Sequence, residues 1–321
     1  MEDTKSFMAE KIRREFGEAY KYISNPNVTD VLLNADNTVW VYEAGKDKIA
    51  VKGLFTSASA LRLLGSVATY ANTVLTAKNP TLQAALPWGQ RFQGIIPPVV
   101  SSPVFAVRNH STKTFKLDDY VASGRMPDEI ANFLRESLVK KRNIIVSGGT
   151  GSGKTTLTTA LMEELSRLCP NDRLCVMEDT RELQSFNADN VFEQSNEKTS
   201  MTQLLAVNLR MRPDRIILGE IRGAEALDLL KSWNTGHPGG ISTVHANSAS
   251  AALIRFEELI LEAQDLNMSY MRALISEALN VVVHIERRPK IGPKVVQVML
   301  VNGLTNEKDY RKTMLYDIMG E

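Results

Sequence analysis

The chain has 321 residues, 43% of them hydrophobic and 23% charged, with a formal net charge of +1 at pH 7. These are the proportions of an ordinary globular protein of about two domains, and the near-neutral charge supplies no global field toward nucleic acid or anionic lipid. Two cysteines outside any C-x-x-C pair, a charged first twenty residues and the lack of a long apolar run argue against a disulfide or zinc framework, a signal peptide and a membrane span, so a cytoplasmic protein is expected.

Residues 5–23 place Phe7, Ile12, Phe16, Tyr20 and Ile23 at helical spacing. Val31-Leu-Leu and Val39-Trp-Val-Tyr read as strands around the turn signal Asn34-Ala-Asp-Asn37. Residues 57–73 return to helical period, and Arg91-Phe-Gln-Gly-Ile-Ile and Val104-Phe-Ala-Val-Arg-Asn are strand-like again. This predicts a small α+β domain over 1–112 with no chemical motif of its own. Residues 113–127, polar and containing Asp118-Asp119 and Ser123-Gly-Arg-Met-Pro127, have the composition of a linker. From 128 onward strands alternate with helices: strands at 143–147, 173–178, 215–219, 241–245, 280–286 and 294–301, helices at 128–141, 154–168, 201–210, 223–234, 249–264 and 269–279. Alternation of this kind predicts an α/β domain over 128–321, its mainly parallel sheet covered on both faces.

The most specific motif lies between the strand at 143–147 and the helix at 154–168. Gly148-Gly-Thr-Gly-Ser-Gly-Lys-Thr155 has the G-x-x-x-x-G-K-T spacing of a nucleoside triphosphate loop. Glycines let successive backbone N–H groups curl around an anion, and the helix N-terminus behind them adds its dipole. The cofactor-binding set is therefore Gly148, Gly149, Thr150, Gly151, Ser152, Gly153, Lys154, Thr155 and Thr156. ATP and Mg²⁺ are the expected ligands, with Lys154 on the phosphates and the Thr155 hydroxyl on the metal.

Three further stretches carry acids or histidines to strand ends. Arg173-Leu-Cys-Val-Met-Glu-Asp ends a strand in Glu178-Asp179, where a ligand crevice is expected beyond the carboxyl ends of parallel strands. Glu178 could then orient and deprotonate the attacking water; alternatively the pair opens a solvated turn, with Asp179 capping a helix. Arg215-Ile-Ile-Leu-Gly-Glu-Ile-Arg-Gly has Gly219 where phosphate-loop enzymes usually carry an aspartate, leaving Glu220 to serve Mg²⁺ through a bound water. In Thr235-Gly-His-Pro-Gly-Gly-Ile-Ser-Thr-Val-His-Ala-Asn, His237 and His245 are too far apart for a one-turn metal pair and have no Cys or acid cluster beside them. His237 reads as a loop residue. His245 is either a hydrogen-bonded core histidine or, from its strand end, a sensor of the γ-phosphate. His110 and His284 are expected to be structural.

In their order, the phosphate loop, Glu178-Asp-Thr, the aspartate-free Leu218-Gly-Glu-Ile-Arg-Gly and Thr-Gly-His…His-Ala-Asn resemble the secretion (traffic) ATPase superfamily. Leu209-Arg-Met-Arg-Pro-Asp-Arg215 and Ser232-Trp-Asn-Thr-Gly-His-Pro-Gly-Gly are similar to the branch that serves type IV secretion and conjugal transfer. The resemblance implies a RecA-like P-loop motor domain preceded by a smaller N-terminal α+β domain, and assembly into a homo-hexamer. It also implies partners in the inner-membrane secretion or conjugation machinery, peripheral membrane contact through those partners, and no strong direct nucleic-acid binding. Arg91 and Arg108 match family positions that reach the phosphates, although by sequence alone they read as surface arginines; Arg222 and Arg210 are further phosphate-side candidates. The polar linker would be the hinge. A pilus or type II secretion motor and a RecA-like nucleic-acid motor are the alternative functions, the second needing a basic channel or stacking aromatics.

Overall fold

The computed structural model describes residues 2–43, 46–109, 115–196, 198–289 and 291–319. The chain divides into two compact units, 1–113 and 114–321.

The first unit runs α1 (Glu2–Phe16), a 3-10 turn, α2 (Tyr20–Ile23), β1 (Val28–Leu33), β2 (Val39–Glu43), β3 (Ile49–Val51), α3 (Ser57–Tyr70), β4 (Thr81–Ala85), β5 (Arg91–Ile95) and β6 (Val104–Arg108). The strands form one antiparallel sheet in the order β3-β2-β1-β6-β5-β4. The expected helix over 5–23 is interrupted because Gly17 takes a left-handed φ of +54°, a conformation open to glycine. Thr56 starts α3 with a reciprocal capping box to Ser59. Alternation puts Val31, Leu33, Phe92, Phe105 and Val107 on one face of the sheet, buried with Ile12, Phe16, Leu63, Leu64 and Val67 of the helices. Each such aliphatic side chain contributes about 1.5–3 kcal/mol by leaving water. β3 and β4 were not anticipated: the one is three residues long and the other reads Thr-Leu-Gln-Ala-Ala, with little β-branching.

The second unit comprises α4 (Leu117–Ala122), α5 (Asp128–Val139), β7 (Ile144–Ser147), α6 (Lys154–Leu168), β8 (Leu174–Glu178), β9 (Asn190–Gln194), α7 (Met201–Asn208) and β10 (Arg215–Ile221). It continues with α8 (Glu225–Asn234), β11 (Ile241–Val244), α9 (Ala249–Ala263), α10 (Met268–Ala278), β12 (Val281–Arg288), β13 (Gly292–Leu304) and β14 (Tyr310–Asp317). Its sheet has the order β14-β13-β12-β7-β11-β10-β8-β9, parallel from β12 to β9 and antiparallel at β13 and β14. Period-2 alternation divides the strand residues between two cores. Ile144, Val146 and Ile217 pack with α4, α5 and α6, whereas Ile145, Ile216 and Leu218 pack with α7 to α10. A sheet buried on both faces follows, as its near-continuous apolar strands require.

The stretch 113–127 differs from the linker expected there. His110 and the first residues of that stretch lie outside the described residues, but residues 117–122 form α4, and Leu117, Tyr120 and Met126 are buried in the second unit's core. The polarity that resembled a linker is helix-start chemistry. Asp118 and Asp119 occupy the first turn of α4, where the helix dipole favours acids, and Asp119 accepts the Lys116 backbone N–H at 2.8 Å.

Candidate nucleotide site

All strand ends that sequence marked as functional meet at one edge of the second sheet, because β7, β11, β10 and β8 are adjacent and parallel. The loop after β7 turns through Gly151 at φ +70° and Gly153 at φ +102° and delivers Lys154 as the first residue of α6. A Cβ at Gly149 or Gly151 would meet no atom within 4 Å, so the loop leaves an open cradle lined by backbone. Nζ of Lys154 donates to the carbonyls of Gly148 (2.9 Å) and Gly149 (3.0 Å) and lies 3.3 and 3.4 Å from the two ring nitrogens of His245. Burial lowers its proton affinity, with Arg222 acting in the same sense and Glu220 opposing. Ser152 is buried in the loop, and its hydroxyl has no protein hydrogen-bond partner.

Glu178 closes β8 with only 4% of its surface exposed. Its Oε1 accepts the backbone N–H groups of Glu182 and Leu183, both at 3.0 Å, while Oε2 is buried without a hydrogen-bond partner. Burial pushes the carboxyl pKa up to about 7 in spite of those two donors. The same side chain accounts for the glycine at 219. A Cβ there would stand 2.8 Å from Glu178 Cγ and 3.3 Å from Oε1, so the space of the usual aspartate is already filled by Glu178.

Glu220 leaves β10 toward the loop. Its Oε2 accepts from Arg222 Nε at 2.7 Å, and its Oε1 lies 2.7 Å from His245 Nε2 without the alignment of a hydrogen bond. Arg222 also pairs with Asp179, which caps no helix. Lys154, His245, Glu220, Arg222 and Asp179 therefore form one chain of polar contacts across the strand ends. Desolvation and the Lys154 charge lower the His245 pKa, Glu220 working against them.

Other expected residues of the second unit fall elsewhere. His237 precedes β11 and His245 follows it, so the two histidines stand at opposite ends of one strand. The loop at the His237 end is structural: Asn143 Oδ1 accepts the N–H groups of Gly239 (2.7 Å) and Gly240 (2.9 Å), and the fully buried Arg215 donates to Gly239 O at 3.1 Å. Arg210, between α7 and the start of β10, is at that same far edge. His284 is buried on β12, its Nδ1 3.0 Å from Ser147 Oγ. Arg91 and Arg108 belong to the first unit, directly opposite one another on β5 and β6, with Arg108 Nε donating to Asp30 at 3.0 Å.

One residue at the site was not anticipated. Glu182 Oε2 accepts the Thr155 hydroxyl at 3.3 Å, tying the loop after β8 to the phosphate loop. Among the described residues no group of three or more His, Cys, Asp or Glu could hold a metal alone. Thr155 and Glu220 are a sparse set of hard oxygens, which suits Mg²⁺, an ion that keeps several waters and takes phosphate oxygens.

The chain is similar to known secretion proteins over most of its length. The conjugal transfer protein TrbB of Rhizobium radiobacter is 40% identical over 285 residues, covering 88% of this chain and 87% of its own. The VirB11 ATPase from the Brucella suis type IV secretion system superposes with a TM-score of 0.50 at 26% identity, covering 92% of this chain and 96% of its own. The pilus retraction motor PilT shares the fold, with a TM-score of 0.66 at 19% identity over 94% of this chain and 83% of its own. Residues 14–309 match the family described as Type II/IV secretion system protein, and the chain belongs to that family.

Proposed function

We infer that the chain hydrolyses ATP and couples hydrolysis to type IV secretion or conjugal transfer. The observation that carries this reading is the convergence of a glycine phosphate loop with Glu178, Glu220 and His245 at one sheet edge, in a member of this family. Backbone N–H groups from Gly149 to Thr155 and the start of α6, with Thr156 in its first turn, would hold the phosphates. Lys154 would exchange the carbonyls of Gly148 and Gly149 for phosphate oxygens, which restores its charge compensation. Thr155 and, through water, Glu220 would hold Mg²⁺, which supplies charge neutralisation on the phosphate oxygens.

Glu178 would accept the proton of the attacking water, a task for which a pKa near the working pH is suited. Glu182, fastened beside Thr155, would order water on the metal side. His245 stands between Lys154 and Glu220, so movement of Lys154 onto a phosphate changes the ring's neighbours and reports γ-phosphate occupancy. Arg222 is held in reserve by Glu220 and Asp179. Arg91 and Arg108 of the first domain would supply guanidinium groups to the phosphates.

The assembly we propose is a homo-hexamer bound peripherally to the inner membrane through partners of the transfer machinery, without strong direct binding to nucleic acid. No described helix is long and apolar enough to cross a membrane. The test is transfer in a host whose machinery uses this chain. Lys154→Ala should abolish transfer while the protein accumulates normally, and transfer at the parental frequency would remove the coupling. A mass measurement with a non-hydrolysable ATP analogue should give six times the 35.7 kDa of one chain; a persistent monomer contradicts the ring.

A further inference from the structure

The β12–β13 hairpin has no part in the chemistry above, yet it touches the phosphate loop at both ends. At the first residue, the backbone oxygen of Ile285 stands 2.4 Å from where a Cβ on Gly148 would lie. At the last, Pro293 Cβ and Cγ stand 2.7 and 2.9 Å from the corresponding position on Gly153. In the hairpin's register Arg287 faces Pro293, which places both contacts on one short stretch of ribbon. The ribbon is itself fixed from behind, where Val295 N donates to Arg125 O at 2.9 Å and Arg288 donates to the carbonyls of Ile318 and Met319.

Gly153 is the position that matters most for anion binding. It is the residue before α6, left-handed at φ +102°, and its conformation aims the first free N–H groups of that helix. Apart from the backbone bonds from Leu157 N to Gly153's own carbonyl (2.9 Å) and from Ser152 N to Gly149 O (3.3 Å), the atoms nearest its Cβ position belong to Pro293 and Ile285. Gly149 and Gly151 have open space where their Cβ atoms would be, and glycine has the widest backbone freedom of any residue. The pyrrolidine ring of Pro293 is a rigid wall on one side of this hinge.

We propose that Pro293 is a positioning residue for nucleotide binding, acting through Gly153 to keep the phosphate loop in its anion-ready conformation before nucleotide arrives. This rests on the reading of Gly148–Thr155 as the nucleotide loop. Without the wall, part of the binding free energy goes into ordering the loop. Freeing about one residue's backbone weakens binding by about tenfold. Turnover at saturation is affected much less, because the loaded loop is held by its ligand.

The experiment is equilibrium binding of a fluorescent ATP analogue to the full chain, for the parent and for Pro293→Val, Pro293→Ala and Pro293→Gly, with melting temperatures taken without nucleotide. Measured binding by the parent, lost in Lys154→Ala, checks the site itself and separates its failure from failure of the present proposal. The expected result is a Kd that rises as the side chain shrinks, reaching about tenfold in the Gly variant and staying near parental in Val. The KM for ATP should follow Kd, with kcat changing less than about twofold. A Gly variant with Kd within twofold of the parent overturns the proposal. So does a Val variant as weak as Gly, or losses that follow melting temperature and not side-chain volume.

Discussion

Replacing Gly219 by the aspartate usual at this place in phosphate-loop enzymes should inactivate the protein. The new Cβ would lie 2.8 Å from Glu178 Cγ, against about 3.5–4.0 Å for ordinary carbon contact, so Glu178 must retreat by about 1 Å. Gly219 is in a strand between two neighbours, which leaves the side chain as the part that yields. In retreating, Glu178 gives up its bonds from the backbone of Glu182 and Leu183. Hydrogen bonds to a charged group contribute about 1.5–3 kcal/mol each, so the displacement costs about 3 kcal/mol of site organisation, or about 100-fold in kcat. Gly219→Ala isolates the steric half of the effect and should lose about 10-fold or more; Gly219→Asp adds a second negative charge beside a buried carboxyl. Initial rates of phosphate release, with nucleotide affinity measured separately, distinguish the outcomes. Affinity should stay within about threefold because the phosphate loop is untouched. An aspartate variant with parental or higher kcat would refute the reasoning, since position 219 would then be a lost ligand and not a space kept for Glu178.

Glu178→Gln and Glu182→Gln should both retain ATP binding; Glu178→Gln should reduce turnover about 100-fold or more, and Glu182→Gln should also raise the Mg²⁺ concentration needed for half-maximal rate. A large loss of nucleotide affinity in Glu178→Gln would instead give that residue a metal-binding role. Turnover should climb through about pH 7 and level off above it, because the protonated Glu178 cannot accept a proton; a flat profile there contradicts its assignment. The same raised pKa has a stability sign: from its ordinary value of 4.5 up to about 7 the folded chain holds this proton more tightly than the unfolded one, so its contribution to stability declines as pH rises across that window. Arg215→Met should destabilise the second domain by about 3–5 kcal/mol, because Asp172 and the carbonyls of Leu138 and Gly239 lose their shared, fully buried partner. Chemical denaturation reads this directly, and a change below about 1 kcal/mol would mean the cluster relaxes.

The phosphate loop was legible because its signal is local: glycine spacing between an apolar strand and a helix determines its conformation. So was the two-sided sheet, since β7, β8, β10, β12 and β13 each carry at least three consecutive apolar residues. Contacts set by tertiary packing were not legible. Glu182 lies 27 residues from Thr155 and meets it only because β8 and the phosphate loop end at the same edge. In the sequence Gly219 is only a missing aspartate that leaves Glu220 to the metal; that Glu178 occupies the space is visible in the structure alone. Arg215 appeared as a flank of a motif and is instead the fully buried tie between β10, the loop before β11 and α5. α4 was hidden by its own capping acids. β9 pairs in parallel with β8 across a connection that has no helix, against the alternation used to read this domain. β14 is an exposed antiparallel edge whose polar face resembles a loop.

The central claim is that ATP is hydrolysed at the loop from Gly148 to Thr155. Steady-state phosphate release by the purified full-length chain, parent beside Lys154→Ala, tests it most directly. The account predicts Mg²⁺-dependent turnover in the parent and loss of it in the variant, with the melting temperature in the absence of nucleotide unchanged within a few degrees. Parental turnover in Lys154→Ala would contradict it.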